Sequence, residues 1–349
     1  MRTEEFDYYL PPEQIAQEPV VPRDHSKLLV VDRKNQIIEH KKFFYEIVDY
    51  LSSKDVLVFN DTKVVPARIR GKKISTGGKV ELLLLRPEGA SFIDFQQWPK
   101  RWVAIGKPEL KEGTEIEFGQ GLRCRVKERK NYERVIEFNE QGEELKEHLL
   151  QIGEVPLPPY IKNPTDLSFR NYQTIYANKE GSVAAPTAGF HFTPELLKRI
   201  KELGVRMEYI TLHIGLGTFL PVKTENIEDH QMHSEFFIID KKTAESINKA
   251  KREGKRIIAV GTTVVRALES SSTEDGYLLP NQNWTTLFIY PGYRFKIVDS
   301  LITNFHLPRS TLLMLVCAFA GKKLIFRAYQ EALRRKYRFF SFGDAMFIR

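Results

Sequence analysis

Residues 56–74 read VLVFNDTKVVPARIRGKKI, and the chain changes texture within them. Val56–Phe59 is an apolar run that predicts a strand, and the polar residues Asn60, Asp61, Thr62 and Lys63 end it. From about Val65 to Phe138 the pattern becomes strand, turn, strand, in ARIRGKKI, GKVELLLLRP, RWVAIG, TEIEFGQGLRCRVKER and ERVIEF. The intervening STGG, GQG and RKNY supply the glycines and polar residues that hairpins need. This predicts a small antiparallel β-barrel. A helix is expected near Glu143–Gln151. The proline-rich VPLPPYI that follows cannot continue it and reads as a linker.

On both sides of this block, strands alternate with helices. Before it come a short helix near Pro12–Gln17, a strand at Leu28–Asp32 and a helix near Phe43–Leu51. After it, VRMEYITLHI, RIIAV and SLITNFH read as strands. Helices are expected near Pro194–Leu203, Thr243–Glu253, Thr263–Ser270, Ser310–Ala320 and Leu324–Tyr337. The predicted fold class is mixed α/β: an α/β domain made of residues 1–64 and 152–349, with a β-barrel domain inserted at 65–151.

Composition limits the function classes. With 42% hydrophobic and 28% charged residues in 349, the chain is long enough for a sizeable core. Cys124 and Cys317 form neither a disulfide framework nor a CxxC site, so a reducing, cytoplasmic setting is expected. The acidic start MRTEEFDYYLPPEQ lacks a signal peptide's apolar stretch, and Leu312–Ala320 is too short to span a bilayer. Net charge is +8, and residues 321–349 alone hold 8 basic and 2 acidic side chains. Arg327, Arg334 and Arg338, spaced by seven and four, would share one face of a continuous helix, with Arg335 beside them. Such a face suits a polyanion, nucleic acid first, although a solvated helix face would look the same.

In open α/β sheets, ligands bind beyond the carboxyl ends of strands. Unusual residues concentrate there. Strand 205–214 ends in His213, followed by Gly215 and Gly217. Strand 257–260 runs into Gly261, Thr262 and Thr263 and a helix bearing Arg266. Strand 300–305 runs into His306. In SVAAPTAGFHFTPELL (182–197), His191 lies between Phe190 and Phe192 at the mouth of a helix whose N-cap is Thr193. Three histidines at such junctions point to a shared pocket. Each feature also has a plainer reading. Gly215 and Gly217 lack the rest of a dinucleotide fingerprint, and Thr262-Thr263 is an ordinary N-cap pattern. His230, His233 and Glu235 do not match a zinc motif.

At these same residues the chain resembles a known family. PRDHSKLLVVDR, LVFNDTKVVPARI, SVAAPTAGFHFT, HIGLGTFLPV, MHSEFF, VGTTVVRALES, TNFHLPRSTLLMLVCAFAG and YRFFSFGDAMFI are similar to motifs of the S-adenosylmethionine:tRNA ribosyltransferase-isomerases of queuosine biosynthesis. The resemblance runs from residue 22 to 347. It departs at Lys27, where arginine is usual, and at Phe190 and Phe342, where leucine and tyrosine are common. It implies S-adenosylmethionine as co-substrate and no metal. The implied partner is a tRNA carrying 7-aminomethyl-7-deazaguanine at the wobble position, and the implied product is epoxyqueuosine.

That chemistry needs an acid and a base that work near neutrality, which histidine supplies. His191, His213, His306 and Glu235 are therefore the candidate catalytic residues. Asn60, Asp61, Thr187, Phe192, Gly215, Gly217, Thr262, Thr263 and Arg266 are the candidate S-adenosylmethionine contacts. Arg327, Arg334, Arg335 and Arg338 are the candidate tRNA contacts. The two competing classes are a metal-dependent hydrolase and a non-catalytic tRNA-binding protein. The first is tested by metal analysis, the second by adenine release.

Overall fold

A computed structural model describes residues 1–89, 97–162, 165, 171–215 and 222–349. The chain divides into two compact units. One comprises Met1–Thr62, Pro158–Asn178 and Ala185–Arg349, and the other Lys63–Leu157 with Lys179–Ala184.

In chain order the strands begin with β1 (Leu28–Asp32), β2 (Ile37–Lys41), β3 (Asp55–Asn60) and β4 (Thr62–Val64). The second unit follows: β5 (Arg68–Lys73), β6 (Lys79–Pro87), β7 (Arg101–Lys107), β8 (Glu115–Gly119), β9 (Leu122–Lys130), β10 (Glu133–Phe138), helix α1 (Gly142–Ile152) and, later, β11 (Lys179–Ser182) beside β4. Strands β5 to β10 close into a barrel in the order β10-β7-β6-β5-β8-β9, every pairing antiparallel. Alternation drives the closure. In β9, Leu122, Cys124 and Val126 are buried, while Arg123, Arg125 and Lys127 face solvent. The turn into β9 needs positive φ at Gly119, Gln120 and Gly121, which explains its two glycines.

The first unit continues with α2 (Pro194–Glu202), β12 (Arg206–His213), β13 (Glu235–Ile239), α3 (Lys241–Arg252), β14 (Arg256–Val260), α4 (Thr262–Ser271), β15 (Asn281–Thr285), β16 (Ser300–Asn304), α5 (Thr311–Ala320), α6 (Lys322–Arg334) and β17 (Ala345–Ile348). Its sheet has the order β15-β13-β12-β3-β14-β16-β17-β1-β2. The central strands β12, β3, β14 and β16 run parallel, so their carboxyl ends meet on one edge. Leu57, Phe59, Val260 and Ile302 on one sheet face pack with Phe44, Phe192, Leu196 and Ile200 into a dry core.

Three expectations change. Residues 44–50 form a 3₁₀ stretch rather than an α-helix, and its i, i+3 eclipse stacks Phe44 over Ile47 into the core. The short strands β2, β4, β11, β13, β15 and β17 come in addition to the expected ones. The C-terminal helix stops at Arg334. There Lys336 takes φ +53°, the Tyr337 amide donates to the Ala332 carbonyl, and the Lys336 amide donates to that of Leu333. This closing motif turns the chain before Arg338.

Candidate functional site

The carboxyl ends of β14 and β16 open into a cleft lined wholly by the first unit. Three local features build its walls. Gly261 takes φ +98°, which lets β14 turn directly into α4 and leaves the Thr262 and Thr263 amides at a helix start without intrahelical partners. The 3₁₀ turn Thr187–His191 brings Thr187 to the cleft. β16 runs out through Asn304 and Phe305 to His306.

His306 is the expected histidine that lines the cleft. Its Nε2 lies 2.9 Å from the Thr303 hydroxyl. Its backbone is pinned on both sides: the amide donates to the Tyr329 hydroxyl at 2.9 Å, and the carbonyl accepts from the Tyr8 hydroxyl. Burial pushes its pKa down to about 3, so the ring is neutral at physiological pH.

His191 stands one layer back. Its Nδ1 is 2.7 Å from the Ser26 hydroxyl and its Nε2 is 3.1 Å from Asn304 Nδ2, with the ring tilted against Phe44. The Asn304 amide also donates to the Phe340 carbonyl at 3.2 Å, and its oxygen accepts from Thr187 Oγ1 at 3.1 Å. That pair of contacts fixes which end of the amide is nitrogen. Nε2 of His191 must then be the acceptor, and Nδ1–H donates to Ser26. Burial, with the nearby Arg23 and Arg338 guanidiniums, lowers its pKa to about 3.

His213 is not among the residues that line the cleft. It ends β12, which is separated from β14 and β16 by β3, and its Nδ1 lies 2.7 Å from the Thr62 hydroxyl. Glu235 and Arg266 form a buried ion pair, each about 3% exposed. Glu235 also accepts from the Gly215 amide, and Arg266 donates to the Leu287 and Thr285 carbonyls. Arg266 is thereby committed to protein partners, whereas the sequence placed it among the candidate S-adenosylmethionine contacts.

Asn60 is a bracket. Its amide spans both the N–H and the C=O of Leu212, accepts from the Thr62 amide and reaches the Thr263 hydroxyl. Asp61 accepts from Thr211 at 2.6 Å. Phe192 is fully buried between Phe44 and Phe59, in the core rather than in a ligand wall. Gly217 lies outside the described residues. The cleft thus gathers Thr187, Thr262, Thr263 and His306 from the expected set, and adds Asn304, Phe340 and Ser341. These three lie inside quoted motifs, but nothing in their residue types marks them as lining.

Among the described residues, no group of three or more His, Cys, Asp or Glu gathers as a metal site. None of their helices is long and apolar enough to cross a membrane.

A family model described as queuosine biosynthesis protein matches residues 3–348. The chain belongs to this family. Two members, from Moorella thermoacetica and Pelotomaculum thermopropionicum, are 53% and 51% identical, with all of both chains aligned in each case. Each is named S-adenosylmethionine:tRNA ribosyltransferase-isomerase. A crystal structure titled as the S-adenosylmethionine tRNA ribosyltransferase of Thermotoga maritima covers 99% of the chain and 100% of that protein, at 38% identity and a TM-score of 0.55. For the family, the cleft at the carboxyl ends of β14 and β16 is the candidate site.

The two buried histidines make a pH prediction. Unfolded, each titrates near 6.5; folded, near 3. Below pH 6.5 the unfolded chain takes up these protons first, so stability falls with pH, by about 1.4 kcal/mol per unit for each histidine. Denaturant unfolding between pH 6.5 and 3 should show this, and His191→Gln should lower the slope by one proton's share. An unchanged slope would mean that His191 titrates alike in both states.

Proposed function

We propose that this chain transfers and isomerises the ribosyl group of S-adenosylmethionine onto 7-aminomethyl-7-deazaguanine at a tRNA wobble position, giving epoxyqueuosine and releasing adenine and methionine. The full-length relationship to enzymes of that name carries the reading. The cleft fits the co-substrate. The free amides at the start of α4 suit a carboxylate, the hydroxyls of Thr187, Thr262 and Thr263 suit a ribose, and the neutral imidazole of His306 lines the same cleft. When bound, the sulfonium acidifies the adjacent C5′ hydrogen. His306 is the proposed acceptor of that proton, whose loss opens the way for adenine to depart and for the acceptor amine to attack. Tyr8 and Tyr329 hold the His306 backbone, so the ring's position does not depend on a mobile loop.

The test is adenine release from S-adenosylmethionine by the purified chain. It should require precursor tRNA. No release with tRNA present would leave a binding protein, and rapid release without tRNA would show that the acceptor does not help to complete the site.

The tRNA surface includes the exposed side chains of Arg327 and Arg334 on α6 and of Arg335 at its C-cap. Arg338 is removed from this set. It is half-buried, its guanidinium donates to the Glu18 carbonyl, and its amide donates to Asp344. Replacing Arg334 and Arg335 with glutamine should weaken tRNA binding whatever the sequence. It should also flatten the log K against log salt plot by about 0.7–0.9 per lost contact. Unchanged affinity and slope would place the RNA elsewhere.

A further inference from the structure

The backbone at Phe340 is unusual. It takes φ +74°, in the left-handed region that a bulky side chain avoids. A residue held there persists only where its surroundings impose it, and such residues gather at ligand sites. Three hydrogen bonds impose it here. The Phe340 amide donates to the Phe305 carbonyl at 3.1 Å. The Phe340 carbonyl accepts from the Gly343 amide at 2.8 Å and from Asn304 Nδ2 at 3.2 Å. The chain then doubles back so tightly that a Cβ on Gly343 would lie 2.4 Å from the Arg338 carbonyl. The result is that Phe340 lines the cleft, with the Tyr160 ring behind it at 4.3 Å between centroids.

Asn304 is the joint of this arrangement. One amide hydrogen holds Phe340 and the other is taken by His191, while the amide oxygen takes the Thr187 hydroxyl proton. Thr187 and Asn304 also line the cleft; His191 does not. The chain of donors runs from Asn304 to His191 to Ser26 without a free position on the imidazole.

We infer that His191 is a positioning residue, which through the Asn304 amide sets Phe340 as the aromatic wall on which the purine ring of the nucleoside substrate stacks. The inference rests on the reading of the cleft as the S-adenosylmethionine site. It differs from a base role for His191 in what the imidazole must supply: an acceptor for Asn304, not a proton exchange with substrate. Glutamine can supply that acceptor; leucine cannot.

The experiment compares His191→Gln, His191→Leu, Phe340→Leu and Phe340→Tyr with the wild-type chain. The readouts are adenine release with precursor tRNA, and the Kd of S-adenosylhomocysteine as a stable nucleoside probe. His191→Leu should raise KM for S-adenosylmethionine about tenfold, the effect of an orphaned buried donor, with the pH profile unmoved. His191→Gln should come back to within about threefold. Phe340→Leu should weaken the probe by about 5- to 100-fold, as the loss of a base-stacking ring does elsewhere, and Phe340→Tyr should bind like wild type. A loss of about 10²-fold or more in kcat for His191→Gln, as large as for His191→Leu, would make His191 a catalytic acid or base and overturn the inference. Equal probe binding by Phe340→Leu and wild type would overturn the stacking wall. A wild-type chain that releases no adenine would remove the parent reading, and this one with it.

Discussion

Replacing His306 with alanine is expected to lower turnover by about 10²–10⁴-fold while the fold survives, the range for loss of a general acid or base. The fold survives because the residue's structural bonds are backbone bonds. The amide bonded to Tyr329 and the carbonyl bonded to Tyr8 remain after the imidazole is gone. The side chain's hydrogen bond in the described structure is to Thr303, which alanine leaves with space for water at the cleft wall. The pH profile supplies an independent check. With its pKa lowered to about 3 by burial, His306 is already in its basic form throughout the neutral range. The kcat/KM profile, which reports the free enzyme, should therefore show no acid limb near 6.5. Single-turnover adenine release at several pH values measures both effects. Activity of His306→Ala within about threefold of wild type would remove it from the chemistry.

The sequence showed where strands end but not the order in which those strands lie side by side. Apolar runs closed by glycine, threonine or histidine located β3, β12, β14 and β16, and alternation located the barrel. The step from three histidines at strand ends to one shared pocket failed on strand order, which no local pattern states. β3 lies between β12, which His213 ends, and β14 and β16, whose ends open into the cleft, and the His213 ring is met by Thr62 instead. His191 failed differently. Its position at a helix mouth was legible, but whether it meets a ligand or a second layer depends on Asn304, 113 residues away. Phe340 carried no local sign, since its left-handed backbone is imposed by Phe305 and Asn304 from another strand end. Arg338 was misplaced because a lysine, not a glycine, occupies the left-handed position that ends α6.

Replacing Glu235 with leucine should cost about 3–5 kcal/mol of stability, because it strands the Arg266 guanidinium in a site where that residue is only 3% exposed. A buried cation that loses its carboxylate keeps its desolvation penalty and forfeits the attraction that offset it. The Leu287 and Thr285 carbonyls that Arg266 also reaches are neutral and cannot replace the lost charge. Removing both ions gives the opposite expectation. The double variant Glu235→Leu/Arg266→Met should be more stable than Glu235→Leu alone, since no buried charge is left over, although the two carbonyls then lose a donor at about 1 kcal/mol or more each. Denaturant unfolding of the two single variants and the double gives the coupling between the sites. The cycle also separates two roles for the pair, because a pair that served the ligand would leave stability near wild type when broken and raise KM instead. A Glu235→Leu variant as stable as wild type would therefore return Glu235 and Arg266 to the list of ligand contacts. A large loss that the double variant partly recovers places them as the clamp joining β13, α4 and Gly215.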